Sequence, residues 1–217
     1  MNLFDSAPRE TALEAGGFIK GVGVAIVTQN SNPDGEPAPS AYAVKVRYPW
    51  HEEERNSYWA RIAVPMAGAG RGTYFLPEVG DEVLVAFERG DLRFPYVIGA
   101  LWNGQHKPPE SNGDGRNDKR TICSREGHKL VFDDGARGAV TLSLKDGKQL
   151  VLDDTGVRLE DGKGNHLTIE SGSGAMTIEA SGKLTIKAAS IEISAATTAK
   201  FGAAANLKLE SALININ

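Results

Sequence analysis

The sequence has little of what covalent cross-links, membrane spans or nucleic-acid interfaces require. It has one cysteine in 217 residues, Cys123, which excludes a disulfide within the chain and is expected in a small, buried, apolar role. No apolar run approaches the roughly 20 residues of a transmembrane helix, and residues 1–15 lack the basic and apolar regions of a secretion signal. The formal net charge is −4 without a lysine or arginine cluster, so nucleic acid is not an expected partner. We expect synthesis in the cytoplasm without a signal peptide.

The sequence also lacks the residue patterns of an active site or a metal centre. It has no nucleophile elbow, and the glycine-rich stretch 68–72 has no Walker lysine. The run of glutamates at 52–54 follows His51, but consecutive residues on a loop do not converge on one ligand, so we interpret this run as a solvated hairpin tip. His106, His128 and His166 are scattered. We therefore predict no catalytic residue, no cofactor, no metal site and no enzyme activity.

Tryptophan, tyrosine and proline are missing from the second half of the chain. All three tryptophans, all five tyrosines and all ten prolines precede residue 110. This change in composition predicts two domains built in different ways. We place an N-terminal extension at 1–17, a barrel domain at 18–107, a linker at 108–127 and a repeat domain at 128–217.

The repeat domain consists of apolar residues paired two positions apart, and the pairs return about every eight residues. Such alternation predicts short strands, and a regular return predicts a stacked architecture. The first two pairs are Leu130/Phe132 and Leu142/Leu144, and the last is Ile214/Ile216. The predicted needle core lies between them and comprises Leu150, Leu152, Val157, Leu159, Leu167, Ile169, Met176, Ile178, Leu184, Ile186, Ile191, Ile193, Leu207 and Leu209.

One rung of this ladder is too small to form a core within a single chain. It offers about two inward side chains, whose burial does not offset the entropy of ordering eight residues. Sharp turns containing glycine and aspartate separate the rungs. We therefore predict an intertwined trimeric β-helix, or β-prism. A single-chain solenoid and a β-sandwich of antiparallel hairpins are the alternatives, and the alanine-, serine- and threonine-rich stretch 188–205 suits a slender shaft better than a sandwich.

The first half of the chain predicts a small all-β barrel. Five short strands are expected at 23–29, 42–48, 58–65, 81–89 and 96–101, and Val83, Val85 and Phe87 alternate on one face of the fourth. The glycine-rich stretch 68–72 is expected as a mobile loop, and residues 77–81 as a turn. Five strands on about eighty residues fit an OB-fold barrel.

An ordered set of motifs within this barrel resembles the OB domain of contractile-injection spikes. The motifs are KVRYPW at 45–50, YWARIAVP at 58–65, GRG at 70–72, FLPEVGDEVLV at 75–85 and the stretch from Gly90 to Gly104. The family includes phage baseplate assembly protein V, the VgrG proteins of type VI secretion and the spikes of extracellular injection systems. The repeats that follow resemble the β-helical needle of the same family.

This resemblance implies a homotrimeric structural spike that pierces a target envelope mechanically. In the family the OB domains lie under a central hub, and the needle points away from it. No hub-like domain precedes the barrel and no lysozyme-like insertion follows it, so the hub is expected on a separate polypeptide, with residues 1–17 reaching toward it. The family's iron-binding His-x-His pair is not present at this C-terminus. A PAAR-like tip protein is expected on Leu213, Ile214, Asn215, Ile216 and Asn217, because an abruptly ending prism leaves unpaired backbone groups.

Two other functions are alternatives to the spike. In the first, the barrel is a glycan-binding module on a trimeric β-fibre, a function that exposed aromatic residues on the barrel would favour. In the second, the chain is a peptidoglycan hydrolase, against which the missing catalytic insertion counts.

Overall fold

The chain is all-β and divides into two units, Met1–Ser111 and Asn112–Asn217. The computed structural model describes residues 19–32, 35, 37–38, 42–51 and 57–215. The predicted N-terminal extension, residues 1–17, lies outside these ranges. Within the described ranges, no helix is long and apolar enough to cross a membrane.

The first unit is a closed five-stranded barrel. Its strands are β1 (Val22–Gln29), β2 (Ala43–Arg47), β3 (Ala60–Ile62), β6 (Glu82–Phe87) and β7 (Pro95–Leu101), and β4 (Ala67–Gly68) and β5 (Arg71–Gly72) form a separate hairpin. The order around the barrel is β1-β2-β3-β7-β6. The barrel closes through the parallel pair β3–β7, in which Arg61 opposes Tyr96, while the other neighbours are antiparallel. All five predicted barrel strands are present.

Alternating valines form the core of the barrel. Val83 and Val85 on β6 are fully buried and Phe87 is nearly so, as their spacing predicted. Val44 and Val46 on β2 and Val27 on β1 pack against them. Because every second residue of each strand points inward, a closed barrel of short strands buries these side chains without a second layer.

The glycine-rich stretch of the barrel domain, which was expected as a mobile loop, forms a tight hairpin with two residues in each strand. Ala67 opposes Gly72, and Gly68 opposes Arg71. Gly70 and Gly72 have φ of 65° and 147°, which permit the tight reversal. The predicted turn at 77–81 is confirmed: the Glu78 amide donates to the Asp81 carboxylate at 2.9 Å, and the Asp81 amide donates to the Glu78 carbonyl at 3.1 Å.

The second unit contains one seven-stranded antiparallel sheet. Each strand pairs with its neighbour in sequence, so this part of the ladder completes its hydrogen bonds within one chain. The strands are β8 (Lys119–Cys123), β9 (Lys129–Asp133), β10 (Ala139–Ser143), β11 (Gln149–Asp153), β12 (Gly156–Glu160), β13 (His166–Glu170) and β14 (Met176–Glu179). Strand β8 lies in the stretch that composition assigned to a linker.

The described part of this unit has no second sheet packed on the first, which separates it from an ordinary β-sandwich. A single twisted sheet of short strands and tight turns is compatible with one wall of a β-helix. Residues 180–215 form no strand within the chain, although the sequence predicted rungs there.

Candidate functional site

The most prominent surface of the second unit is one face of the seven-stranded sheet, which we call the apolar face. Cross-strand register places large apolar side chains in two adjacent columns along it. One column contains Ile122, Leu130, Leu142, Leu150, Leu159, Leu167 and Ile178, and the other contains Phe132, Val140, Leu152, Val157, Ile169 and Met176. With seven strands about 4.8 Å apart, the columns run for about 30 Å.

No described residue covers the apolar face. Leu159 and Met176 are 52% and 62% exposed, and none of the residues in the two columns is buried. Soluble monomers rarely expose a continuous apolar patch of this kind, and such patches mark interaction sites. This face is therefore the candidate functional site.

The opposite face of the sheet, the polar face, has the composition of a solvated surface. Its central column contains Thr121, Val131, Thr141, Val151, Arg158, Thr168 and Thr177. Charged and polar residues at the strand ends flank this column; Gln149 donates to Glu160 at 3.0 Å, and His166 lies 3.6 Å from Glu179. Polar residues thus predominate on this face, with Val131 and Val151 as exceptions, and apolar residues predominate on the other, as expected for an antiparallel sheet with one face toward a core.

The eight predicted core residues from Leu150 to Ile178 all lie on the apolar face. The six from Leu184 to Leu209 lie beyond β14, outside any strand, and are 54–67% exposed. One predicted pair is shifted: strand β10 presents Val140 and Leu142, whereas Leu144 lies in the next turn, where its amide donates to the Lys148 carbonyl.

The predicted tip interface is only partly within the described residues. Leu213 and Ile214 are 72% and 48% exposed, and Asn215 is exposed. Ile216 and Asn217 lie outside the described residues. The tip contact stays a prediction.

Two of the three tryptophans of the barrel are engaged in packing. Trp50 stacks on Tyr48 with ring centroids 5.2 Å apart and donates from Nε1 to the Val24 carbonyl at 2.8 Å. Trp59 is buried, with the Lys45 ammonium 5.3 Å from its ring. Trp102 is exposed. Burial also raises the pKa of Tyr48 to about 12.

The described histidines do not form a metal site. The His106 imidazole lies 3.9 Å from Asp81, and His128 Nδ1 accepts from the Lys145 amide at 3.2 Å. The ring of His51 packs edge-on against Trp50, while the glutamates at 52–54 lie outside the described residues. Among the described residues, no three histidine, cysteine, aspartate or glutamate side chains are arranged to hold a metal ion.

Cys123 is exposed, so the expectation of a buried role was wrong. It pairs with Lys129 in the register of β8 and β9, which places it on the polar face. Its neighbour Ile122 lies on the apolar face opposite Leu130, on the same side of β8 as Arg120, which pairs with Phe132. Ile122 was not predicted as a core residue, because the predicted ladder began at Leu130 and residues 108–127 were assigned to a linker. The β-branched residues Thr121 and Ile122 were the available signal for a strand.

Comparison with known proteins agrees with the barrel geometry. Residues 24–102 match the family model of the type VI secretion system/phage-baseplate injector OB domain, so the barrel is similar to the OB domain of that class. The resemblance to VgrG-like spike proteins that the sequence motifs indicated is confirmed by this match and by the relatives of the chain.

Three relatives show how far this similarity extends. The chain is 30% identical over 141 residues to the type VI secretion system spike protein VgrG3 of Vibrio cholerae serotype O1, covering 59% of this chain and 13% of the relative. It is 33% identical over 109 residues to the spike protein VgrG4b of Pseudomonas aeruginosa, covering 41% and 13%. It is 27% identical over 139 residues to the actin cross-linking toxin VgrG1 of Vibrio cholerae serotype O1, covering 58% and 12%. The chain thus spans about an eighth of the length of these relatives.

Proposed function

We propose that this chain is a structural spike of a contractile injection machine, in which three copies bury their apolar faces against one another. The observation that carries this proposal is the uncovered double column of apolar side chains on β8 to β14. Burial of apolar surface stabilises an assembly by about 25 cal/mol for each Å² removed from water. The spike-protein relatives support the same class of function.

Threefold association fits the narrow width of the apolar face. Each strand contributes only two large inward side chains, such as Leu150 and Leu152 on β11. Two such faces stacked as a sandwich would leave both long sides of the core open to water. Three faces around an axis enclose a triangular core in which every apolar column has neighbours from another chain.

The mechanism that follows is mechanical rather than catalytic. A closed prism resists bending, since bending distorts strand pairing and core packing in all three chains. Residues 180–215, with their exposed Leu184, Ile191 and Leu207, would continue the prism by pairing between chains. Force from a contracting sheath would then drive the folded needle through a target envelope.

The partners in this proposal are a hub at the barrel and a PAAR-like protein at the C-terminal tip. The exposed side chains of Leu213 and Ile214 would be available to such a capping partner. The protein would act as part of a phage tail or tail-like particle. Packing of Trp50 and Trp59 within the barrel removes two of the aromatic platforms on which the glycan-binding alternative relied.

This function is tested directly on injection particles isolated from the source cells. Injection particles are purified by sedimentation, and the copy number of this chain is measured by quantitative mass spectrometry against a sheath component. We expect three copies per particle and loss of delivery into target cells when Leu159→Asn replaces the native chain, with Thr141→Asn on the polar face as the matched control. A chain that does not sediment with the particles would overturn the proposal.

A further inference from the structure

The turns that connect strands β8 to β14, which together form a meander, lie along two opposite edges of the sheet. These two edges differ in charge. Edge A contains the turns β9–β10, β11–β12 and β13–β14 with their flanking strand ends, residues 133–139, 153–156 and 170–175. Edge B contains the turns β8–β9, β10–β11 and β12–β13 with their strand ends, residues 123–129, 143–149 and 160–166. Every connection between consecutive strands from β8 to β14 belongs to one of these two edges.

Edge A is acidic, whereas cations and anions balance on edge B. The charged residues of edge A are Asp133, Asp134, Arg137, Asp153, Asp154 and Glu170. The lysine and arginine residues of edge B are Arg125, Lys129, Lys145, Lys148 and Lys163, and its carboxylates are Glu126, Asp146, Glu160 and Asp161. The formal charge of these turns is therefore −4 on edge A and +1 on edge B. At the free strand ends, Lys119 and Arg120 of β8 bring edge A to −2, with Arg120 paired to Asp134 at 3.1 Å, and Glu179 of β14 brings edge B to 0.

The carboxylates of edge B are engaged within their own chain. Glu126 pairs with Lys145 at 3.0 Å, and Asp146 pairs with Lys148. Asp161 accepts the amides of Lys163 and Asn165 at 2.8 and 3.0 Å. The Lys163 ammonium is exposed and makes no ion pair with any described residue. Edge B thus presents an outward cation.

Edge A presents the complementary anion beside a notch. The Asp154 carboxylate is exposed and pairs with no described cation. It lines a notch of about 380 Å³ together with Asp153, Glu170 and Ser173, and Arg158 on the polar face lines the same notch. Because the Arg158 guanidinium lies 3.5 Å from Glu160 toward edge B, it does not neutralise Asp154.

We propose that in the trimer edge A of each chain docks against edge B of the next chain around the threefold axis. This inference rests on the proposed trimeric function and specifies how its three walls meet. A cyclic trimer uses heterologous contacts, so each chain must offer two different and mutually complementary surfaces. The unpaired Asp154 on edge A and the unpaired Lys163 on edge B meet that requirement, and the excess of anions on edge A disfavours its contact with another edge A.

The positions of the turns along the stacking direction of the strands permit the contact. The β11–β12 turn that bears Asp154 lies one strand spacing, about 4.8 Å, from the level of the β12–β13 turn that bears Lys163. The same turn lies one spacing from the level of Lys145 and Lys148 on the other side. A lysine side chain spans such an offset, so Asp154 of one chain can meet these cations of the next chain.

Reversing the charge at one or both edge positions, in all three copies of the chain, tests the pairing of the edges. The variants are Asp154→Lys on edge A, Lys163→Glu on edge B and the double variant, with Thr141→Lys on the centre of the polar face as control. The distribution between trimer and monomer is measured by light scattering at low ionic strength, in the urea concentration that half-dissociates the native trimer. Urea is used because guanidinium would screen the charges.

We expect each single reversal to weaken the trimer and the double variant to restore it. An exposed ion pair changes an equilibrium about three- to fivefold, and three contacts per trimer multiply to roughly 30- to 100-fold in the dissociation constant. Thr141→Lys should leave the dissociation constant within about threefold of the native value.

Each outcome separates this inference from the proposed function. A native trimer with weakened single variants and a rescued double variant supports the edge pairing. Two outcomes would overturn the edge pairing in a chain that is natively trimeric: single variants with the native dissociation constant, or a double variant that dissociates more readily than either single variant. Either outcome leaves the trimeric spike in place. A native monomer overturns both.

Discussion

At the scale of single residues, aspartates hold the turns of this molecule in shape. Six of the described aspartates accept the backbone amide of the residue two positions later: Asp91, Asp114, Asp133, Asp146, Asp153 and Asp161. This local bond fixes the reversal of the chain. Hydrogen bonds from the side chains of Asn165 and Thr155 and from nearby amides lower the pKa of Asp161 and Asp153 below the usual 3.8.

Acid should weaken the repeat domain for this reason. A carboxyl group whose pKa is lower in the folded than in the unfolded state contributes stability that is complete above its ordinary pKa. Here that contribution is present above pH 3.8 and is lost as the pH falls from there through the lowered values. We expect the urea midpoint to be flat from pH 7 to 5 and to decrease below pH 4.

Asp161→Asn provides the matched control for this acid effect. Asparagine keeps an oxygen acceptor for the amides of Lys163 and Asn165 but does not titrate. The variant should show a shallower decrease below pH 4, measured by the same urea titrations. An unchanged slope would mean that Asp161 does not contribute to the acid sensitivity.

Gly156 lies where the backbones of two neighbouring hairpins pack closely, so its substitution tests this packing. It has φ of 147°, and a Cβ added to it would lie 1.8 Å from the carbonyl oxygen of Ile169. Gly156→Ala should therefore lower the free energy of unfolding by roughly 2 kcal/mol or more, measured by urea unfolding at fixed chain concentration. Gly172→Ala, where nothing lies within 4 Å, should change it by less than about 0.5 kcal/mol. Equal effects at the two positions would contradict this account.

At the scale of strands, neighbouring residues of the meander point to opposite faces and therefore have different roles. Leu159 points to the apolar face, and Arg158 beside it points to the polar face. Leu159→Asn should shift the chain from trimer to monomer, because a polar group in the shared core loses its hydration without a partner. Thr168→Asn on the polar face should leave the mass unchanged. Light scattering after size exclusion measures both, and a trimeric Leu159→Asn variant would show that the core lies elsewhere.

The strands of the barrel were predictable because alternation at Val83, Val85 and Phe87 is a strong local signal. The β4–β5 hairpin was not predictable in the same way. Ala67, Gly68, Arg71 and Gly72 have no β-branched or alternating pattern, and the turn geometry of Gly70 and Gly72 creates the pairing. Strand identity follows from side-chain periodicity, while short hairpins follow from backbone conformation.

For the ladder of the second unit, the prediction of which residues share one face was more accurate than the prediction of which two apolar residues belong to each strand. Val140, Leu142 and Leu144 are all spaced by two, so periodicity alone does not decide which two share the strand. The turn at Gly147, with φ of 90°, ends β10 at Ser143 and moves Leu144 into the turn. The exposure of the apolar face had a physical basis in the sequence, because one rung carries too few inward side chains to enclose a core.

At the scale of the whole molecule, we propose that the repeat domain exists as a shared core of three chains. The most direct test is the solution mass of the full chain, measured by light scattering after size exclusion, beside that of a chain ending at Ser111, the limit of the first unit. We expect three times the 23.1 kDa chain mass for the full chain and a monomer for the truncated chain. A monomeric full-length chain would contradict the shared core and with it the spike.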